Sequence, residues 1–238
     1  MWGRVVDGRE LTFRLAGINN QNFLMRDEET GSFWQQISGT AISGPYRGRH
    51  LELVHSDELT FALWRGENPN GTVLRPVGEF ASQYETKDWE ALMRKTRTVV
   101  DTKNTPFGPR ELMLGIERNG EARAYVFDRV LKQKLTQDRV GGTPLILVVG
   151  PDAKSVRVFE ARIEGNTEDP EFYHNAGSGG IATGQAIFTD SLTGSNWNFQ
   201  GCAISGAEVG HCLRGIPALK DYWFDWHLYH PQTTVNMK

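Results

Sequence analysis

The sequence predicts an α+β, β-rich fold made of two related halves, with antiparallel sheets and a few short helices. Three observations point there. The stretch Asp27-Glu28-Glu29-Thr30-Gly31-Ser32-Phe33-Trp34, followed by Gly39-Thr40-Ala41-Ile42-Ser43-Gly44, returns as Asp190-Ser191-Leu192-Thr193-Gly194-Ser195-Asn196-Trp197, followed by Gly201-Cys202-Ala203-Ile204-Ser205-Gly206. Asp7-Gly8 and Asn119-Gly120 each lie between β-prone runs, the strongest short hairpin signal. Pro144-Leu145-Ile146-Leu147-Val148-Val149 is a continuous apolar run of strand length, as expected of a strand buried on both faces.

The self-similarity extends beyond the motif. Trp34 precedes Trp197 by 163 residues; after a one-residue deletion the offset becomes 162 and pairs Gly48 with Gly210, Leu51 with Leu213, Phe61 with Trp223, Trp64 with Trp226, Pro69 with Pro231 and Val73 with Val235. Two copies are too few for a solenoid, so a pseudo-two-fold pairing of the copies is expected. The division that follows is residues 1–80 as a first repeat shortened at its N-terminus, 81–110 as a linker and 111–238 as a second repeat. The second copy is preceded by the unit Leu112 to Val149, the first only by Met1-Trp2-Gly3.

The elements follow in order. Val5-Val6 and Leu11 to Leu15 read as strands around Asp7-Gly8, Gly17 to Asn22 as a polar turn, and Phe23 to Asp27 as a strand entering the tight turn at Gly31. Arg49 to Val54 alternates as a half-buried strand. Ser56 is placed to cap a helix carrying Leu59, Ala62 and Leu63 that ends at Asn68-Pro69. Asp88 caps a short helix at Trp89, and Asp128 another through Val130, Leu131 and Leu135. Val156 to Ile163 alternates as a strand, Glu164 to Gly180 is a loop, and Leu219 to Tyr229 is a closing helix rich in aromatic residues. The two Trp-bearing helices are expected in equivalent places.

Composition bounds the function. The chain has 238 residues, 39% of them hydrophobic, and a net charge of −3. A chain of this size buries roughly 70% of its unfolded surface. No bulk positive field favours nucleic acid, and the basic cluster from Arg94 to Lys103 reads as a solvated helix face. No apolar run reaches a membrane span. No signal peptide is visible, so the chain as it stands reads as soluble and cytoplasmic, with an extracytoplasmic place open for a full-length parent.

Glu121-Ala122-Arg123-Ala124-Tyr125, Asp138-Arg139-Val140-Gly141-Gly142-Thr143-Pro144 with its apolar strand, the two Asp-x-x-Thr-Gly-Ser-x-Trp motifs and the terminal Trp-x-x-Trp helix with His230-Pro231 resemble the prokaryotic domain of unknown function 3179 family. The resemblance covers most of the chain. It implies a mixed, strand-rich fold in proteins that often look exported, and no activity. Members usually carry a Tyr-Cys-Pro-Leu-Cys-like stretch that this chain lacks; metal or redox chemistry resting on that pair does not carry over.

Three groups are candidate sites. Asp27, Ser32, Asp190 and Ser195 of the paired turns could line a polar site, although turn hydrogen bonding accounts for them as well. Cys202, His211, Cys212, His227 and His230 gather metal-ligating side chains in the second half, and His227 and His230 are i,i+3 on one helix; small buried thiols are the ordinary alternative. The loop from Glu168 to Gly180 offers His174 as base, Ser178 as nucleophile and Asp169 as acid, with its carboxylates able to take Ca²⁺. The expected function is a binding or structural module for a small-molecule ligand, with no catalysis assignable. The alternatives are an ester or lactone hydrolase, calcium-assisted, and a metal or redox protein using a transition metal without the usual Cys-pair segment. The sequence is silent on oligomeric state.

Overall fold

A computed structural model describes residues 1–84, 88–100, 105–175 and 184–237. The chain opens with β1 (Val5–Val6) and β2 (Arg9–Glu10), a hairpin turned by Asp7 and Gly8 at positive φ. An antiparallel meander follows: β3 (Phe13–Asn19), β4 (Asn22–Asp27), β5 (Phe33–Gln35) and β6 (Ala41–Ser43). The predicted turn from Gly17 to Asn22 is narrower than expected. The strands run on to a two-residue turn at Asn20-Gln21, both at positive φ, because a β-bulge between Leu15 and Gly17 absorbs the irregularity. Arg49 to Val54 is not a continuous strand; His50 and Leu53 form single bridges, to Thr40 and Trp2. Trp34, fully buried, packs with Val6, Leu11, Ala41 and Leu51 in a core of its own.

Helix α1 (Phe61–Glu67) starts later than Ser56 suggests. Its N-cap is Thr60, whose hydroxyl accepts from Leu63 N and donates to Asp152 Oδ2 at 2.7 Å. Asp57 is held instead by Arg157. A short 3₁₀ helix (Gly78–Gln83) and α2 (Trp89–Lys95) follow; Asp88 occupies the N-cap position of α2 without a side-chain capping bond.

The middle of the chain forms β7 (Leu112–Arg118), β8 (Glu121–Val126), α3 (Phe127–Gln133), β9 (Leu135–Val140), β10 (Thr143–Val149) and β11 (Val156–Glu160). Val126 is the N-cap position of α3, with Asp128 in its first turn, and Leu135 already belongs to β9. β10 is buried throughout and is the central strand of a three-stranded sheet between β11 and β9. Its alternation serves two cores: Ile146 and Val148 join Phe159, Phe188 and Trp197, whereas Leu145, Leu147 and Val149 join Leu114, Ile116 and Val140.

A second meander comprises β12 (Phe172–His174), β13 (Phe188–Asp190), β14 (Asn196–Trp197) and β15 (Ala203–Ser205). The chain closes with β16 (Leu219–Tyr222), α4 (Trp223–Tyr229) and β17 (Thr234–Asn236). The predicted helix from Leu219 is thus a strand for its first four residues. These pair with Leu112 to Gly115 of β7, and the ladder outweighs the helical pattern. β16-β7-β8-β17 form one sheet, with β17 parallel to β8. Gly115 makes this packing possible, since a Cβ there would lie 2.3 Å from the Trp226 ring. α1 and α4 share their C-terminal geometry, the cap N–H returning to Trp64 and Trp226 respectively. Their surroundings differ: Leu63 enters the core of Trp197, whereas Trp223 and Trp226 pack on Met113, Ala124 and Val126. Among the described residues no helix is long and apolar enough to cross a membrane.

The two motif turns make the same bonds. Trp34 Nε1 donates to Asp27 Oδ2 at 2.8 Å, and Trp197 Nε1 to Asp190 Oδ2 at 2.9 Å. Thr30 N reaches Asp27 Oδ1 at 2.5 Å, and Thr193 N reaches Asp190 Oδ1 at 2.6 Å. Ser32 Oγ accepts from Tyr46 N at 3.0 Å, and Ser195 Oγ from Glu208 N at 3.1 Å. Burial alone would push both carboxyls up; the donors outweigh it and hold both below the usual carboxylate range. Gly44 and Gly206, at φ of 90° and 95°, pass so close that a Cβ on either would lie 2.6 Å from the serine Cα beneath.

A buried ion pair ties α1 to β11. Arg157 grips Glu67 with two bonds of 2.7 and 2.8 Å, reaches Asp57 at 2.7 Å and lies over the Phe199 ring.

Three outcomes are expected in urea unfolding. Trp197→Ala costs about 3–5 kcal/mol. Arg157→Met also costs about 3–5 kcal/mol, because Glu67 is left charged and buried. Asp190→Asn costs about 1–3 kcal/mol at pH 7. A carboxyl whose folded pKa is depressed stabilises fully above its unfolded value near 4, and that stability disappears as pH falls through the folded value. The difference between wild type and Asp190→Asn should therefore shrink on acidification below about pH 4.

Candidate functional site

A cleft of about 740 Å³ opens among the described residues. Its floor is built by the switch from strand to helix at β16 and α4. Asp221, near the end of β16, and Asp225, in the first turn of α4, bring their carboxyls together across the strand-to-helix junction. Trp2 and the 53–58 segment form one wall, and Leu114, Gly115 and Glu117 of β7 another. The β3–β4 hairpin reaches over from the opposite end of the sequence, where Asn22 Nδ2 donates to Asp225 Oδ1 at 2.5 Å.

The Asp221–Asp225 pair dominates the electrostatics. Asp225 is only 4% exposed. Burial, then the neighbouring Asp225 charge, pushes Asp221 up to about 8. Burial raises Asp225 as well, against the bonds it accepts from Asn22 and Asp221. Both carboxyls are pushed up and face each other, so they titrate as a coupled pair rather than as two independent carboxylates. Arg110, stacked over Tyr222 and Phe224 at 4.9 and 4.7 Å, opposes both shifts without reversing them.

Other polar groups line the same cleft. Lys220 bonds Glu58 and sits over the Phe127 ring, and burial lowers its pKa. The His230 ring stacks on Trp226 at 3.9 Å, with Glu117 3.8 Å away. Burial lowers His230 more than Glu117 raises it, so its imidazole is neutral at pH 7. Tyr229 lies half-buried beside Asn20 and Asn22 of the hairpin. The site thus offers donors and acceptors at the bottom of an aromatic-walled pocket.

The residues singled out in the sequence lie elsewhere, with one exception. His174 stands at the end of β12, where burial and then Lys134 lower its pKa. Asp169 is bound to Arg139 and faces Arg162. Glu171 receives the Tyr173 hydroxyl. Ser178 lies outside the described residues. Cys202 and Cys212, expected as free thiols or metal ligands, are joined in a disulfide and offer no thiolate. The reason is topological: the Gly206–Gly210 turn brings them face to face across a bridge between neighbouring strands. His211 pairs with Glu208 at 2.9 Å in an exposed position, and His227 lies against Trp223. Among the described residues no three of His, Cys, Asp and Glu are grouped to hold a metal. Of the described candidates only His230 belongs to the cleft. The signal for the cleft was present in Asp221-Tyr222-Trp223-Phe224-Asp225-Trp226, two carboxylates at helical spacing inside an aromatic run; Asn22, about 200 residues away, gave none.

No curated protein and no solved structure matches the chain. The family model described as protein of unknown function, DUF3179, matches residues 1–233. With nearly its whole length inside that match, and the strand-rich α+β fold the resemblance implied, the chain belongs to the DUF3179 family.

Proposed function

We propose that this chain is a binding module that takes a small polar molecule into the cleft over Asp221 and Asp225, and that it works outside the cytoplasm. The observation that carries the first part is the pair of facing, buried carboxyls lining a cavity large enough for such a ligand. Isolated buried charge is costly, and a pair that shares a proton both donates and accepts. A polar ligand can meet both halves of that pair beside His230 and Tyr229, which line the same cleft. The disulfide supports the second part, because such bonds persist in oxidising compartments.

A second reading is an ester or lactone hydrolase centred on His174. It is favoured by one observation: burial keeps that imidazole neutral, the form a general base needs. Activity on an ester and lactone panel that is unchanged in His174→Ala removes this reading.

The binding reading is tested by thermal shift with sugars, amino acids and small amines. A true ligand at about 100 times its Kd adds about 2.7 kcal/mol of stability. The expected result is a Tm rise with one of these classes and at least tenfold weaker binding in Asp221→Asn. A ligand whose affinity is indifferent to Asp221→Asn places its site outside this cleft.

The same variant carries a pH signature. A carboxyl with a raised folded pKa holds a proton that the unfolded chain releases, so it lowers stability as pH climbs from about 4 toward 8. Asp221→Asn should flatten that decline and gain about 1–2 kcal/mol at pH 8 relative to wild type. Urea titrations at pH 5 and pH 8 decide it.

A further inference from the structure

The Cys202–Cys212 bridge sits at a place the chain also builds without sulfur. Thr40 and His50 form the corresponding isolated bridge in the first meander, with Thr40 Oγ1 and His50 Nδ1 3.0 Å apart. The backbone around the two bridges is the same. Leu51 N donates to Gly39 O at 2.9 Å, and Leu213 N to Gly201 O at 2.8 Å. Ala41 N donates to Arg49 O and Ala203 N to His211 O, both at 2.9 Å. Gly48 N returns to Ala41 O, and Gly210 N to Ala203 O. One strand pair therefore holds its shape on a hydrogen bond, and the other carries a covalent bond on the same scaffold. Cys212 is exposed and Cys202 half-buried, and neither belongs to an apolar core.

We propose that Cys202–Cys212 is an exchangeable redox pair, reduced by small thiols such as glutathione while the protein stays folded. Glutathione thiolate attacks Sγ of the exposed Cys212; the S–S bond breaks and Cys202 leaves as thiolate, to be protonated. A second glutathione attacks the mixed disulfide and releases Cys212. In sum, two glutathiones are oxidised to their disulfide, and the cysteine pair gains two electrons and two protons. The fold does not depend on the bond, so the chain reaches the same structure before the bridge forms and after it is cleaved.

The experiment uses the native full-length chain in millimolar reduced glutathione, with thiols counted by Ellman titration. The expected result is two thiols released without denaturant, an unchanged circular dichroism spectrum and a Tm lower by no more than about 10 °C, as fits a bridge closing a short loop in a chain of this length. Oxidised glutathione should restore the starting material. Thiols that appear only in denaturant, or reduction that abolishes the cooperative transition, overturn the proposal. A double variant, Cys202→Thr with Cys212→His, places the first meander's pair in the second. It should fold with a Tm within a few degrees of the reduced protein, and failure to fold also overturns the proposal.

Discussion

The structure depends on a carboxylate held beneath a tryptophan. Asp27 and Asp190 are both almost fully buried, and each is surrounded by donors: an indole N–H, a threonine hydroxyl and turn amides. A buried carboxylate without such partners would take up a proton or open the turn. Here the donors fix the turn, the turn fixes the position of the indole, and the indole nucleates a core on each side of the molecule. Serine at the base of the turn then accepts an amide from the loop that follows. The glycine above it supplies clearance no other residue could, so the spacing between Ser and Gly is as constrained as that between Asp and Trp.

The rest is arranged by β10 and Arg157. β10 is a wall between two cores, and its alternation sends neighbouring side chains into different ones. Arg157 on β11 then closes the gap to α1. Its guanidinium satisfies Glu67 in bidentate form and Asp57 with its remaining edge, a geometry an ammonium could not reproduce. Such a pair adds little net stability over a well-packed apolar substitute, yet it penalises any arrangement that separates its members. Its role is to fix where α1 sits, which also places the 53–58 segment along one wall of the cleft.

Much of this was legible in the sequence wherever the signal was local. Asp7-Gly8 and Asn119-Gly120 turn hairpins because both positions take positive φ. Pro144 to Val149 is buried on both faces as its composition implies. Misreadings arose where a distant partner overruled a local preference. Ser56 is a good cap by type, but Thr60 has Asp152 and Ser155 to anchor it. Leu219 to Tyr222 has helical neighbours, but β7 offers an unpaired edge. The cysteines look unrelated ten residues apart, until the strands fold them together. The cleft was the least legible part, because its floor is made by a helix start and its roof by a hairpin from the opposite end of the chain.

The cleft also differs in kind from the motif turns. Asp27 and Asp190 have as many donors as a carboxylate can use, so their charge is spent internally. Asp221 and Asp225 have fewer donors than two carboxylates need, and burial pushes both up. A pair left in that state costs stability at neutral pH, where two apolar residues would cost nothing. Nothing in the packing of β16 against β7 requires it, since that ladder is made by the backbone and by the fit of Trp226 over Gly115. An arrangement that gives up stability inside a cleft of about 740 Å³ is the physical ground on which the proposed binding reading rests.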